Sequence, residues 1–202
     1  MERKLTAKGE ATRARIVAAA AGLMYERGVA GTSTEDVLVA AGVKSPSQLY
    51  HYFGDKRSLV QAVIQYQTES VLGFQKPLLS RLDSFEALEA WRDAVVELQR
   101  SRDYAGGCRI GSLAAELADH DARARTELMG TFEQWGEAIR DGLASLQARG
   151  ELDAAADVDE LALVLLTALQ GGLLMTQVRR DTTALYAVLT ATIEHLRGLS
   201  SV

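Results

Sequence analysis

The amino-acid sequence predicts an all-α protein of about nine helices. Three observations carry that expectation. Apolar residues recur every three or four positions through most of the chain, as in "TRARIVAAAAGLMY", where Ile16, Val17, Ala20, Leu23 and Met24 form one stripe. Residues that start helices stand at the head of such stretches, and glycines stand at the foot of several. Only two prolines interrupt 202 residues. Hydrophobic residues at 48% and charged residues at 24% fit a globular chain with a real core.

Composition narrows the class further. No uninterrupted apolar run reaches the roughly 18 residues that span a bilayer, so no membrane partner is expected. The basic start "MERKLTAKGEATRAR" precedes an apolar stretch, but Glu26 and Arg27 follow and the helical period runs through, against a signal peptide. A single cysteine, Cys108, forms no internal disulfide and fits a reducing cytoplasm. His51, His120 and His195 are too scattered to bind a metal, and no cofactor is expected. Net charge is −5, yet residues 1–60 hold nine basic against six acidic side chains, +3, and the remainder hold 13 against 21, −8. A basic head on an acidic body is the asymmetry of a nucleic-acid binder.

The first helix runs through Ile16 to Met24 and stops at Gly28. In "GTSTEDVLVAAG", Thr32 with Glu35 fits a capping box, and Ser33 with Asp36 fits a weaker one. The helix that follows ends at Gly42, after about two turns, with Val37, Leu38 and Ala41 as its packing face. In "SPSQLYHYF", Ser45 reads as N-cap, Pro46 as the first helical residue and Gln48 as the other half of a capping box. Leu49 and Phe53, four apart, share the buried face. A longer helix begins in "DKRSLVQAVIQYQTESVL".

Four ring-bearing residues in a row, Tyr50 to Phe53, cannot all point inward on a helix. Two short helices joined by a glycine turn form a helix-turn-helix, whose second helix enters the DNA major groove. The outward residues then face DNA. Gln48 can bond adenine bidentately, Ser47 can reach base or phosphate, and Tyr50 suits a phosphate.

"TSTEDVLVAAGV" followed by "LYHYFGDK" resembles the DNA-binding signature of the TetR (Tet repressor) family of bacterial transcriptional regulators. Thr32, Asp36, Ala41, Gly42, Val43, Leu49, Tyr50, Tyr52, Phe53 and Lys56 match it. Between Gly42 and Leu49 the chain carries one residue more than is usual there. The DNA-contacting candidates are Thr32, Ser33, Lys44, Ser45, Ser47, Gln48, Tyr50, His51, Tyr52 and Lys56. The expected domains are residues 1–55, a three-helix DNA-binding head, and 56–202, a helical ligand-binding and dimerisation body.

In that body Pro77 reads as a break. Ser84 caps a helix with Leu88, Trp91, Val95 and Leu98 on one face. Ser112 is expected to cap a short helix through "SLAAELADHD", and a long one ends at Gly150. From Leu161 to Met175 the chain is apolar on nearly all sides, which favours a subunit interface, with Leu165 and Leu173 as interface candidates. Gly171 and Gly172 would allow close helix approach. In the family the last two helices build a dimeric four-helix bundle, and this pair resembles them.

The resemblance implies a homodimer on double-stranded operator DNA, released by a small-molecule inducer that the apolar candidates make hydrophobic. Candidates for its pocket are Trp91, Val95, Met129, Phe132, Trp135, Leu166, Gln170 and Met175, of which Gln170, an amide in an apolar helix, is the sharpest. "GCRIGSLAAELAD" also resembles a subgroup with a cysteine at this place, some of whose members respond to electrophiles or oxidants. Cys108, beside Arg109 and before a helix, is thus an alternative, redox-sensing trigger. The rival class is an all-α enzyme. No GxSxG, HExxH, P-loop or paired-carboxylate pattern occurs, so no catalytic residue is assigned.

Overall fold

The computed structural model describes residues 5–105 and 107–200, and within them every regular element is an α-helix. Arg3 and Lys4 of the basic head, and Gly106 of the glycine-rich loop, lie outside these residues. The helices are α1 (Ala7–Arg27), α2 (Thr34–Ala40), α3 (Pro46–Phe53), α4 (Lys56–Leu79), α5 (Phe85–Ser101), α6 (Arg109–Leu117), α7 (Ala122–Ala148), α8 (Val158–Arg179) and α9 (Thr183–Gly198). The chain divides into two compact units. The first holds residues 1–70 and 112–128, the second 71–111 and 129–202. By compactness, then, α4 gives its first fifteen residues to the head, and a segment from the middle of the chain joins them.

In the first unit α1 is capped by Thr6, whose Oγ1 accepts from Gly9 N–H at 3.2 Å. It buries Ile16, Val17, Ala20, Ala21 and Met24. The box at the start of α2 is made by Ser33 and Asp36. Ser33 Oγ accepts from Asp36 N–H at 3.1 Å, and Asp36 Oδ2 accepts from Ser33 N–H at 3.2 Å. The expected Thr32–Glu35 box does not form, because Thr32 points inward. The end of α2 is a Schellman motif: Gly42 N–H bonds Val39 O at 3.1 Å and Val43 N–H bonds Leu38 O at 2.9 Å. Gly42 has φ +64°, the left-handed conformation this stop requires. Val43 and Leu38 are both buried, the apolar contact that accompanies it.

The second helix of the motif starts at Pro46, as read from sequence, but without a capping box. Ser45 Oγ pairs with Ser47 Oγ at 2.6 Å and makes no cap bond, and Gln48 is left exposed. Pro77 lies inside α4 rather than ending it. A proline in the final turn costs one backbone bond, and the helix stops two residues later at Leu79.

The second unit is built on α5, α7, α8 and α9. Ser84 Oγ caps α5, accepting from Ala87 N–H at 3.1 Å. Its core gathers Leu88, Trp91 and Val95 with Trp135, Ile139 and Leu143, and with Leu165, Leu169, Leu189 and Ile193. Helices α8 and α9 approach closely: a Cβ on Gly172 would stand 2.7 Å from Leu185 Cδ1 and 2.9 Å from its Cα. The close-approach expectation therefore holds for Gly172 within the chain, whereas Gly171 is exposed with open space around it. The helix expected to start at Ser112 starts three residues earlier, because Cys108 is the residue that caps it: Cys108 Sγ accepts from Gly111 N–H at 3.3 Å. By length and composition α8 is long and apolar enough to cross a membrane, although no single run in the sequence looked so. The polar Thr167 and Gln170 and two glycines hide that in a run count.

Candidate nucleic-acid interface

The outward face of α3 is set by what its inward face buries. Leu49 and Phe53 are sunk into the first unit's core, and Arg13 of α1 stacks over the Phe53 ring at 5.2 Å. That leaves Ser47, Gln48, Tyr50 and His51 exposed on one surface, with Lys44 and half-buried Ser45 in the turn before them. Tyr50 is 54% exposed, a large ring presented to solvent without an intramolecular reason. Ser45 stands before α3 in extended backbone (φ −122°, ψ 122°), and the helix starts at Pro46.

Tyr52 is half-buried. Its ring meets His51 edge-on at 5.2 Å and Phe53 at 6.3 Å, and its hydroxyl lies against the first turn of α1, 3.7 Å from where a Cβ on Gly9 would stand. Tyr52 therefore ties α3 to α1 as well as bordering the outward face. Lys56 is also partly engaged: Nζ donates to Val29 O at 2.8 Å, using one of its three N–H donors. Thr32 does not belong on this surface. It is 1% exposed, and Oγ1 donates to Gly28 O at 2.8 Å, so nothing of it is left to meet DNA. Ser33 is exposed, with its hydroxyl used in the α2 cap. Hydrogen bonds from Ser33, side chain first and backbone second, hold the Asp36 carboxyl below its ordinary pKa.

The ligand candidates separate into three groups. Trp91, Val95, Trp135 and Leu166 are buried in the second unit's core, with Phe132 and Gln170 partly buried at its margin. Trp91 is satisfied internally, its Nε1–H donating to Gln75 Oε1 at 2.9 Å. Trp135 Nε1 is a buried donor without a hydrogen-bond acceptor, and Gln99 Oε1 is a buried acceptor without a donor. Met129 and Met175 face outward, 54% and 43% exposed, so neither lines an interior site. Met175 falls instead on the exposed stripe of α8. A separate open groove of about 420 Å³ runs between the end of α4 and α7, past Leu72, Lys76, Leu82, Gln134 and Asp141, and none of the eight candidates lines it.

Cys108 is only partly exposed, and its sulfur is enclosed. Burial is the largest influence and pushes its thiol up; the amides of Gly111 and Ile110 and the Gln170 side chain pull less strongly the other way. The expected lowering by Arg109 and a helix start is thus outweighed, which favours a capping thiol over a reactive thiolate. Among the described residues no group of three or more His, Cys, Asp or Glu is arranged to hold a metal.

Sequence reading missed Glu116. Its carboxylate bonds the backbone of the α1–α2 turn, more than eighty residues earlier in the chain, and no local pattern announces that.

Comparison with known proteins agrees with this geometry. Residues 16–63 match the family model described as bacterial regulatory proteins, tetR family, and residues 84–192 match that of the tetracyclin repressor-like C-terminal domain. An uncharacterised HTH-type transcriptional regulator of Mycobacterium tuberculosis (strain ATCC 25618 / H37Rv) is 30% identical over 185 residues, covering 86% of this chain and 88% of that protein. The HTH-type transcriptional repressor DhaR of Mycobacterium sp. (strain GP1) is 28% identical over 179 residues, covering 86% of each. The crystal structure of a TetR transcriptional regulator from Chloroflexus aurantiacus J-10-fl superposes with a TM-score of 0.80 at 27% identity, over 96% of this chain and 98% of that one. The short helix pair, its outward polar and aromatic face and matches across both halves of the sequence place this chain in the TetR family of DNA-binding transcriptional regulators.

Proposed function

We propose that this regulator is a cytoplasmic homodimer that represses transcription from an inverted-repeat operator and leaves DNA when a small, largely hydrophobic molecule binds its second unit. The observation that carries the reading is the outward face of α3. Ser47, Gln48, Tyr50 and His51 stand exposed on a helix whose other face is fully committed to the core. In this reading Gln48 reads a base edge; Lys44, Ser47, Tyr50 and His51 contact phosphates and neighbouring bases; and Ser33, Ser45, Tyr52 and Lys56 border the interface. The head is residues 1–55 in function, and the body, 56–202, receives ligand and partner. The chain has no catalytic role. The repressor assignment is supported by the DhaR relative, which is described as a repressor.

Dimerisation is supported by α8. Leu163, Val164, Leu174, Met175 and Val178 stand exposed along one stripe, and Tyr186 of α9 is exposed as well. Such a contiguous apolar stripe is the mark of a protein interface. Leu165 and Leu173, named from sequence for this role, are buried in the chain's own core and hold the unit together instead. A two-fold dimer matches two half-sites one helical turn or a multiple apart.

The ligand reading is supported by the unpartnered donor on Trp135 and the unpartnered acceptor on Gln99. Buried polar atoms are almost always paired, so a molecule carrying a carbonyl or hydroxyl group would complete them. The only charged side chain among the described buried residues is Arg92, already bonded to Asp93 and Thr190 and stacked on Tyr186, which favours a neutral ligand. The test is selection of duplexes from a randomised pool, followed by release assays over a panel of neutral and anionic aromatic compounds. Enrichment of an inverted repeat, with release blunted in Trp135→Phe or Gln170→Ala, is the expected result. Failure to enrich any sequence would sink the operator reading.

A further inference from the structure

The turn from which the helix-turn-helix departs is held by a residue far away in sequence. Glu116, near the end of α6, accepts from Val29 N–H at 2.8 Å on one carboxylate oxygen and from Ala30 N–H at 2.7 Å on the other. From α4, Lys56 Nζ donates to Val29 O at 2.8 Å. Val29 is therefore gripped at both its N–H and its C=O, by an acid from one helix and a base from another. Gly28 makes the room: with φ +76°, a Cβ there would stand 3.1 Å from Glu116 Oε2. A second tie lies nearby, where Arg57 at the start of α4 meets Asp121 at 3.3 Å, the residue that also caps α7.

Two consecutive backbone N–H groups form a small concavity suited to an anion, and Glu116 fills it with charge-assisted bonds. Val29 is buried and its N–H needs a partner, but satisfying both amides is not reason enough for a two-pronged carboxylate. Ala30 is exposed, so water would serve its N–H equally well. What the carboxylate adds is position. Helix α2 has only seven residues, too few to stand alone, so its direction depends on what holds its first turn. The same turn is closed by Thr32, whose hydroxyl bonds Gly28 O.

We infer that Glu116 is a positioning residue for operator binding: by gripping Val29 and Ala30 it fixes the angle at which α2 and α3 leave α1. The inference rests on the operator-binding reading, which enrichment of a duplex by the wild-type chain tests separately. Glu116→Gln keeps the shape of the side chain but turns one acceptor oxygen into an amide NH2 donor that faces an N–H. On the duplex that wild-type protein enriches, this variant should bind about tenfold or more weakly, because a bond to a charged partner is lost. On a scrambled duplex its affinity should stay within about twofold, since phosphate contacts are untouched. Amide exchange separates positioning from general loosening. Val29 and Ala30 should exchange about tenfold faster or more in the variant, while Val37 in α2 and Leu59 in α4 keep their protection. Combining Glu116→Gln with Lys56→Met should cost less operator affinity than the sum of the two singles, since both act on one residue. Equal losses on both duplexes, unchanged exchange at Val29 and Ala30, or full additivity of the pair would overturn the inference.

Discussion

Helices α3 and α8 both present large side chains to solvent, and the contrast between their outward faces is what supports a different proposed partner for each. On α3 the exposed residues beyond Pro46 are Ser47, Gln48, Tyr50 and His51, each with a hydrogen-bonding tip. On α8 the large exposed side chains are Leu163, Val164, Leu174, Met175 and Val178, with Thr167 and Gly171 between them. A polar-tipped face gains by meeting a hydrogen-bonding surface such as a base edge or phosphate. A mostly apolar one gains chiefly by leaving water. The lesson is that exposed rings and exposed aliphatics are separate signals, and that α3 reads as a nucleic-acid face and α8 as a protein face for the same physical reason.

The largest effect that bears on this contrast comes from placing one charge on either side of α8. Leu165→Arg buries an unpaired charge in the core and should cost roughly 3–5 kcal/mol, enough to unfold a marginal chain. Leu163→Arg puts the same charge on the exposed stripe, where Leu163 is 64% exposed in the single chain. It should leave helix content intact and shift sedimentation from dimer to monomer at micromolar concentration. A monomeric wild type, or a Leu163→Arg dimer as tight as wild type, would remove α8 as the protein face.

On α3 the effects are smaller and divide by kind. Tyr50→Phe removes one hydroxyl and should weaken binding about fivefold, similarly on selected and scrambled duplexes, if its partner is a phosphate. Gln48→Ala should instead relax preference at one base pair by about 1–3 kcal/mol and leave scrambled DNA untouched. Anisotropy titrations at fixed salt distinguish the two patterns; equal losses for both variants on both duplexes would take Gln48 off the base-reading surface.

The smallest effect is the acid sensitivity of the α2 cap. Asp36 has its pKa lowered by Ser33, so its contribution to stability is present above the ordinary carboxylate value and lost as pH falls through the folded value. Asp36→Asn should therefore narrow the stability gap between about pH 5 and pH 3 seen in urea denaturation of wild type. An unchanged gap would show that the box at Ser33 does not couple to folding.

Much of this architecture was legible because its causes are local. Gly42 and Val43 announce the end of α2, Pro46 the start of α3, and the four-residue spacing of Leu49 and Phe53 its buried face. The errors arise where tertiary contacts choose between local options. Thr32 and Ser33 are both good caps, and packing took Thr32 inward and left Ser33 to the helix. Ser112 looked like a cap, but Cys108 does that work four residues earlier with its sulfur. Leu163 and Leu165 are indistinguishable by residue type, and only the packing of the second unit's core decides which is covered. Glu116 was invisible because its partners are backbone amides 87 and 86 residues away.

The most direct test of the central claim is sedimentation velocity of a labelled duplex, enriched by the wild-type chain from a randomised pool, with scrambled duplex as competitor. Two-fold-symmetric reading by α3 on a dimer joined through α8 predicts a complex of two chains per inverted repeat, or a whole multiple of two, that survives the competitor and is lost in Leu163→Arg. A complex with one chain per duplex, or one that scrambled DNA displaces as readily as the enriched sequence does, would contradict it.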